Sequence, residues 1–542
     1  MIRAPLATNT SRTADFLQEN GESTRLLSFW AAWKWWLPPA VFSVVLSVYF
    51  IDPFIGDWDG FDYTILSLAG YPSSMALGRN LFIFSNHFLY QVAHALFRIP
   101  PENAYLIFKY TVLAQAPLAV IACWILARYV TTSIYAATLA ASFLVFSPVF
   151  ILYAGQVMTD VPSVLLVTAA LILHLKGITQ HRGSLIVVGA ALLGLGMNLR
   201  ETAGFYVLWL AFAPFLLGWK LQRREVGLVA LSLGVFVVLG FAWFGYWFVT
   251  DSHYRFVWFG WRESMRQESA RHPVSISNLT PFVTYLFITA PLVLMAFPFA
   301  MISEWRRRRL SPLLLLGLMG FVADLMLFFN YSTTVNWRYF LTGLPALAPL
   351  SAEYVIRGLA RVLGSAQLAF VTCVTLLLVL AASFVIVMEP VTEQFMARRA
   401  MSKEYRRELM KVPPDAVMIS GSQTIAVIYW KAIGMGKWET IGTGGGWPGD
   451  ANVIPVIEKY LNGARRVFVD TDPRWWPPCG WQREEIPIIV DLEKRFRFRR
   501  VTDTIYEIRP ASDQSAGDEP ALSRLLPENR PADTIKCPPG RA

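Results

Sequence analysis

Charge is what this sequence has little of. Of its 542 residues, 16% are charged and 55% are hydrophobic, whereas about 25% of an ordinary soluble domain is charged. That shortage excludes a typical soluble globular protein. Cysteine is also sparse, with four residues. Cys123 and Cys373 lie in apolar runs as packing residues; Cys479 and Cys537 lie in the polar tail, where pairing requires export. Of the few histidines, His87 and His94 stand seven apart on a possible amphipathic helix. Two histidines do not make a metal site, and interfacial packing is the expectation. The glycine-rich "GTGGGWPGD" (442–450) lacks the Lys-Ser/Thr ending of a phosphate loop and reads as a surface loop. "PRWWPPCGW" fits sugar stacking or a turn on the bilayer. No cleavable signal sequence is apparent; the polar N-terminal stretch leads into a first span that acts as the insertion signal. An inverted repeat between halves and broken spans at matching positions are missing as well, which counts against a secondary transporter.

What is present is apolar length. A bilayer span takes roughly 20 apolar residues, and such runs recur along the chain. The expected fold is a polytopic α-helical membrane protein with about 11 transmembrane helices. Their limits are 36–55, 106–127, 134–153, 161–176, 184–199, 203–219, 226–249, 281–302, 311–329, 340–356 and 366–388. The formal net charge of +10 follows membrane topology and implies no nucleic acid. With residues 1–35 as a cytoplasmic segment, every inner segment is basic, from Lys34 through Arg128, Lys176, Lys220 and Arg306 to Arg357 and Arg361. One outer loop, 250–280, breaks the pattern with Arg255, Arg262, Arg266 and Arg271.

An odd number of spans puts the C-terminal part outside the cell membrane, in the periplasm or extracellular space. There "DAVMIS", "IAVIYW" and "RRVFVDTD" read as buried strands and "IPVIEKYLNG" as a helix ending at Gly463. The expected organisation is a membrane domain over 36–388, a small exported α/β domain over 389–510, and a disordered tail over 511–542. The outer loop 56–105 carries one or two amphipathic helices on the membrane surface.

Ionisable residues near a bilayer usually mark pathways or pair with one another. Four clusters fall on the outer side: Asp57, Asp59 and Asp62 with Tyr63; Gln156 and Asp160; Arg200 and Glu201; and Asn336, Arg338 and Tyr339. Each has a structural alternative. Asp160 can cap a helix, Arg200 can pair with Glu201, Arg338 can snorkel to headgroups, and Asp59-Gly60 is turn chemistry. A partly desolvated Asp can act as general base toward a hydroxyl, and an Arg can hold a phosphate bidentately. Together they suit group transfer from a lipid-linked phosphate donor.

"GDWDGFDY", "MTDVPSVLL", "NLRETAGFYVL" and "RYFLTGLPALAPL", in this order and on one side, resemble the GT-C glycosyltransferases. The resemblance is greatest to bacterial members related to protein O-mannosyltransferases and aminoarabinose lipid A transferases. It covers about residues 36–356. It implies a sugar carried on a polyprenyl phosphate and a lipid, glycan or protein acceptor. Asp59 is implied as the base, with Asp57 as its rival and Tyr63 as the accompanying aromatic. Asp160, Arg200, Glu201, Arg338 and Tyr339 would bind donor or acceptor. Arg200 and Arg338, with an arginine of loop 250–280, would stabilise the leaving phosphate, and the anomeric centre would invert. Some members use a divalent metal at an acidic pair; none is predicted here. The competing class is a membrane transporter or flippase for a lipid-linked or anionic substrate. The expected location is the cytoplasmic (inner) membrane, crossed many times.

Overall fold

The computed structural model describes residues 32–51, 54–55, 58–271, 274–306, 310–328, 337–380, 406–419, 424–441, 453–470 and 494–512, with Ala382 and Leu492. The second acid of interest, Asp57, lies outside the described residues. So do Asn336, both tail cysteines, the glycine-rich 442–450 and the "PRWWPPCGW" stretch.

The chain is mostly helical, and each apolar run of the sequence becomes a helix or a bent pair of helices. α1 is Trp33–Tyr49, followed by α2 at Trp58–Ala69 and α3 at Asn80–Phe97. α4 (Ala104–Val130) is long, and α5 (Ile134–Val145) and α6 (Pro148–Ala154) form a pair bent by 61°. The bend has a local cause. Ser147 caps α6 by accepting a hydrogen bond from the Phe150 N–H, and Pro148 occupies the first turn, where its missing N–H costs nothing. α7 (Asp160–Thr179) and α8 (Gly183–Met197) follow, then a 3-10 turn at Glu201–Tyr206 that leads into α9 (Val207–Leu216). α10 is Arg223–Thr250 and α11 is Ser252–Arg271. α12 (Leu279–Thr289) and α13 (Pro291–Arg306) are bent by 107°, and α14 is Pro312–Phe328. A 3-10 turn at Trp337–Thr342 opens α15 (Leu344–Leu363), which meets α16 (Ala366–Leu380) at 117°.

Among the described residues, three helices are long and apolar enough to cross a bilayer singly, or up to six spans if each bent pair counts as one. Shorter apolar helices fill the bundle, Gly183–Met197 among them. Packing is close because glycine lets backbones approach. A Cβ at Gly194 of α8 would lie 2.6 Å from the carbonyl oxygen of Phe236 on α10. One end of the bundle is tied by Glu353 of α15. It accepts hydrogen bonds from the Thr132 N–H (3.3 Å) and hydroxyl and from Arg357 at 2.7 Å, and Arg357 reaches Glu304 at 3.5 Å. Cys123 and Cys373 are buried in helices. In α3, Asn80, Phe82, Ile83 and Asn86 are buried, while Phe88, Leu96 and Phe97 are exposed.

In the C-terminal part, β1 (Val417–Ile419), β2 (Glu439–Thr440), β3 (Val467–Asp470), β4 (Phe496–Arg500) and β5 (Ile505–Pro510) form one sheet in the order β2-β1-β3-β5-β4. β1 runs parallel to β2 and β3, and β5 is antiparallel to β3 and β4. The strand expected in "IAVIYW" is instead helix α17 (Thr424–Ala432), and the helix expected at "IPVIEKYLNG" is α18 (Val453–Asn462). A short continuous apolar run does not distinguish strand from helix by itself. The burial pattern does. Ala426, Val427, Tyr429 and Trp430 are buried while Ile428 is exposed, which is the spacing of a helix face. That face docks on the membrane-proximal part. Trp430 stacks on Phe54 at 5.5 Å, Tyr429 meets Phe61 of α2 at 5.4 Å, and Arg406 lies 3.8 Å from Glu102.

Gly194→Ala is expected to destabilise the detergent-purified protein by about 1–3 kcal/mol, the usual cost of overpacking. A thermal melt read by intrinsic fluorescence checks it. An unchanged melting temperature would show that α8 and α10 can separate freely.

Candidate active site

The site is assembled from five segments far apart in sequence, each ending or beginning an element. Asp59 sits in the first turn of α2, where a negative charge complements the helix dipole. Its carboxylate pairs with Arg338, which belongs to the 3-10 turn before α15. Arg338 also faces the rings of Tyr153 at 5.8 Å and Tyr339 at 5.9 Å, and its Nη1 lies 3.7 Å from the Met158 sulfur.

Asp160 is the first residue of α7, with Thr159 in the capping position. Its carboxylate serves an ion pair with Arg200 in place of the cap considered from sequence. Both side chains are almost wholly buried, at 2% and 1% exposure, so each charge depends on the other. Arg200 is held in an extended backbone between α8 and the 3-10 turn, and its guanidinium lies 4.2 Å over the Tyr339 ring. Arg200 Nε and Nη2 and Asp160 Oδ2 are buried with no hydrogen-bond partner among the described residues. Buried donors of this kind are costly unless something accepts from them.

Glu201 does not pair with its neighbour Arg200. It turns to Arg79, which grips it with both terminal nitrogens, Nη2 to Oε1 at 3.2 Å. Arg79 was not among the residues singled out from sequence. It is 7% exposed, has a left-handed backbone (φ 49°) and immediately precedes α3. The one signal for it was a basic residue in the stretch 56–105, which is otherwise poor in them. Behind these pairs, Thr202 and Thr342 hydroxyls meet at 2.9 Å, and the Tyr206 hydroxyl donates to the Thr342 carbonyl at 3.0 Å. The two 3-10 turns that carry Glu201 and Arg338 are therefore bonded to each other.

Tyr63 lies within this ring of charges, 2% exposed and edge-on to Phe82 at 5.5 Å. Burial and then the Asp59 charge push its phenol well above the ordinary range, opposed by Arg79, Arg338 and Arg200. One hydroxyl thus feels all three arginines and Asp59. Asp62, one turn beyond Asp59, is the second acid with a perturbed environment. Burial and the neighbouring Asp59 raise it from 3.8 to about 7, against the Ser73 hydroxyl, which donates to it at 3.3 Å. Asp62 therefore takes up its charge near neutrality.

Other sequence candidates stay apart from the site. His87 Nδ1 meets the Ser67 carbonyl at 2.7 Å and His94 Nδ1 the Ile99 carbonyl at 2.8 Å, so each imidazole is spoken for separately. In α11, Arg255 donates to the Phe248 carbonyl at 3.0 Å at the end of α10. Arg262 lies over Trp258 at 5.8 Å, and Arg266 donates to Glu263 at 2.8 Å. These three arginines are engaged on their own helix or the preceding one, not gathered with Arg79, Arg200 and Arg338.

In chemical terms the site offers three arginines, three carboxylates that neutralise them, and the rings of Tyr63, Tyr153 and Tyr339. Such a set can exchange a carboxylate partner for a phosphate without a large change in buried charge. Residues 92–247 match the family model described as Dolichyl-phosphate-mannose-protein mannosyltransferase. No curated protein matches the chain. Among solved structures, the chain is similar to ArnT from Cupriavidus metallidurans bound to undecaprenyl phosphate. The identity is 13% and the TM-score 0.53, over 88% of this chain and 98% of that one. It also aligns with the Archaeoglobus fulgidus oligosaccharyltransferase, a complex with zinc and sulfate. There the identity is 12% and the TM-score 0.45, over 87% of this chain and 73% of that one. The likeness to ArnT runs through most of both chains, and what it shows is a shared fold.

Asp62 also makes a prediction in pH. Its pKa is raised from 3.8 unfolded to about 7 folded. The folded protein then binds more protons across that window, so stability falls as pH rises from about 4 to 7 and levels off above it. Asp62→Asn is expected to remove this fall. Melting temperatures of both proteins between pH 5 and 8.5 check it, and parallel curves would show that Asp62 ionises normally.

Proposed function

We propose that this protein is a membrane glycosyltransferase. It moves a sugar from a polyprenyl-phosphate donor to a hydroxyl acceptor at the outer face of the cytoplasmic membrane. The observation that carries the reading is the convergence of Arg79, Arg200 and Arg338, each buried against a carboxylate, around Tyr63 and Tyr339. The ArnT fold and the partial family match support the same class. The donor's carrier would be undecaprenyl phosphate or a close relative.

In this mechanism the acceptor hydroxyl loses its proton to Asp59 as its oxygen attacks the anomeric carbon. The bond from that carbon to the phosphate oxygen breaks, the configuration inverts, and the polyprenyl phosphate leaves with the bonding electrons. The arginines meet the charge that develops on the leaving phosphate, and Arg200 enters with two buried donors to offer. Arg338 and the acceptor hydroxyl compete for the same Asp59 carboxylate. Donor binding resolves the competition: phosphate draws Arg338 away and lets Asp59 take the proton. Asp57 is the alternative base. Glu201, Asp160 and the two tyrosines orient the arginines.

The same reading places the N-terminal segment in the cytoplasm and the site at the outer ends of about eleven spans. It makes 389–510 an exported domain docked over α2. A carrier that alternates access would keep its charged site near the midplane of the bilayer, and the groups here belong to outer-loop helices and span ends. The acceptor hydroxyl belongs to a lipid, a glycan or a protein.

Asp59→Asn is expected to lower transfer from a polyprenyl-phosphate sugar by about 100-fold or more, the typical worth of a general base. A transfer assay with membrane extract as acceptor checks it. Full transfer by a folded Asp59→Asn protein would remove Asp59 from the role of base.

A further inference from the structure

Helix α11 follows α10 after the single residue Asp251 and crosses the loop of residues 71–79, which ends at Arg79. Two hydrogen bonds join elements some 180 residues apart in sequence. Trp258 Nε1 donates to the Ala76 carbonyl at 3.0 Å, and the Tyr71 hydroxyl donates to Asp251 Oδ2 at 2.9 Å. The other Asp251 oxygen accepts from the N–H groups of His253 (2.8 Å) and Tyr254 (3.0 Å). One carboxylate thus caps α11 and holds the loop. Tyr254 is buried between them, its ring 6.4 Å from that of Tyr71. Its hydroxyl would lie 3.1 Å from a Cβ at Gly78.

The loop is one that needs holding. Ala76 (φ 47°), Gly78 (φ 92°) and Arg79 (φ 49°) all have left-handed backbones, and two of the three carry a Cβ. Such conformations persist only where the surroundings over-determine them. Their product is the position of Arg79, with its guanidinium on Glu201 and near the Leu199 carbonyl at 3.4 Å.

We propose that α11 is a latch on this loop, with Tyr71, Asp251 and Trp258 as positioning residues that present Arg79 to the donor phosphate. The proposal rests on the reading of the site as a polyprenyl-phosphate site. It gives a role to the one basic outer loop: α11 acts through Arg79, and its own arginines secure α11 itself.

The test is binding of undecaprenyl phosphate to the detergent-purified full chain, followed by microscale thermophoresis. Trp258→Phe keeps an aromatic ring but deletes the N–H together with part of the indole; Tyr71→Phe deletes one hydroxyl and nothing else. Each is expected to weaken binding by about fivefold, the scale of one net hydrogen bond. In an Arg79→Ala background neither is expected to weaken it further, since the lost contact acts only through that residue. A merely structural role would lower affinity equally in both backgrounds, which overturns the latch. Unchanged binding in both single variants overturns it too. If Trp258→Phe does not fold, Tyr71→Phe carries the test alone. An Arg79→Ala protein that binds like the wild type overturns the reading of the donor site, and the latch with it. Weakened binding in Arg79→Ala with intact binding in the two latch variants leaves that reading standing and removes only the latch.

Discussion

A buried guanidinium must have an anion beside it. Near a bilayer the cost of leaving such a charge unpaired is several kcal/mol or more, and this constraint organises the end of the molecule that carries the site. Arg79, Arg200 and Arg338 come from three separate segments; Glu201 adjoins Arg200, and Asp160 and Asp59 come from two more. Each pair ties two parts of the chain that sequence keeps distant. The loop before α3 is bound to the turn after α8, α7 to that same turn, and α2 to the turn before α15. The loops that a membrane bundle leaves free are fixed here by the charges they carry.

The irregular backbone serves the same end. Arginines 200 and 338 are on or beside 3-10 turns, not within regular helices, and Arg79 has a left-handed backbone. These segments put long side chains inward at the ends of spans, where a regular helix would point some of them at lipid. The threonine contact between the two turns and the Tyr206 hydrogen bond then hold the carriers of Glu201 and Arg338 at a fixed separation. From outside, α17 of the C-terminal part packs its aromatic face on Phe54 and Phe61, which flank Asp59 in the sequence. Phe61, two residues from the acid, is thereby packed against the sheet-bearing part.

Much of this was legible in the residues. Asp59, Asp160, Arg200 and Arg338 stood out because a charged group beside a long apolar run is costly and so has a reason, and all four fall in the one site. The partners were not legible. Arg200 and Glu201 are adjacent in sequence, which suggested that they pair, yet the chain turns between them and sends them to Asp160 and Arg79. Arg79 escaped notice because its importance lies in a left-handed backbone set by contacts with α11, which no local pattern announces. The bends at Ser147-Pro148 and between α12 and α13 divide runs that read as single spans. The stretch 425–430 read as a strand because a short, wholly apolar run has no period; its docking face on α2 is what makes it a helix.

On this reading the three arginines form the cradle of a polyprenyl phosphate. A cryo-electron microscopy structure of the full chain with undecaprenyl phosphate tests it most directly. The account predicts the phosphate among Arg79, Arg200 and Arg338, with Arg338 drawn off Asp59 and the lipid chain running into the bilayer. A phosphate bound elsewhere, with all three arginines still on their carboxylates, would contradict it.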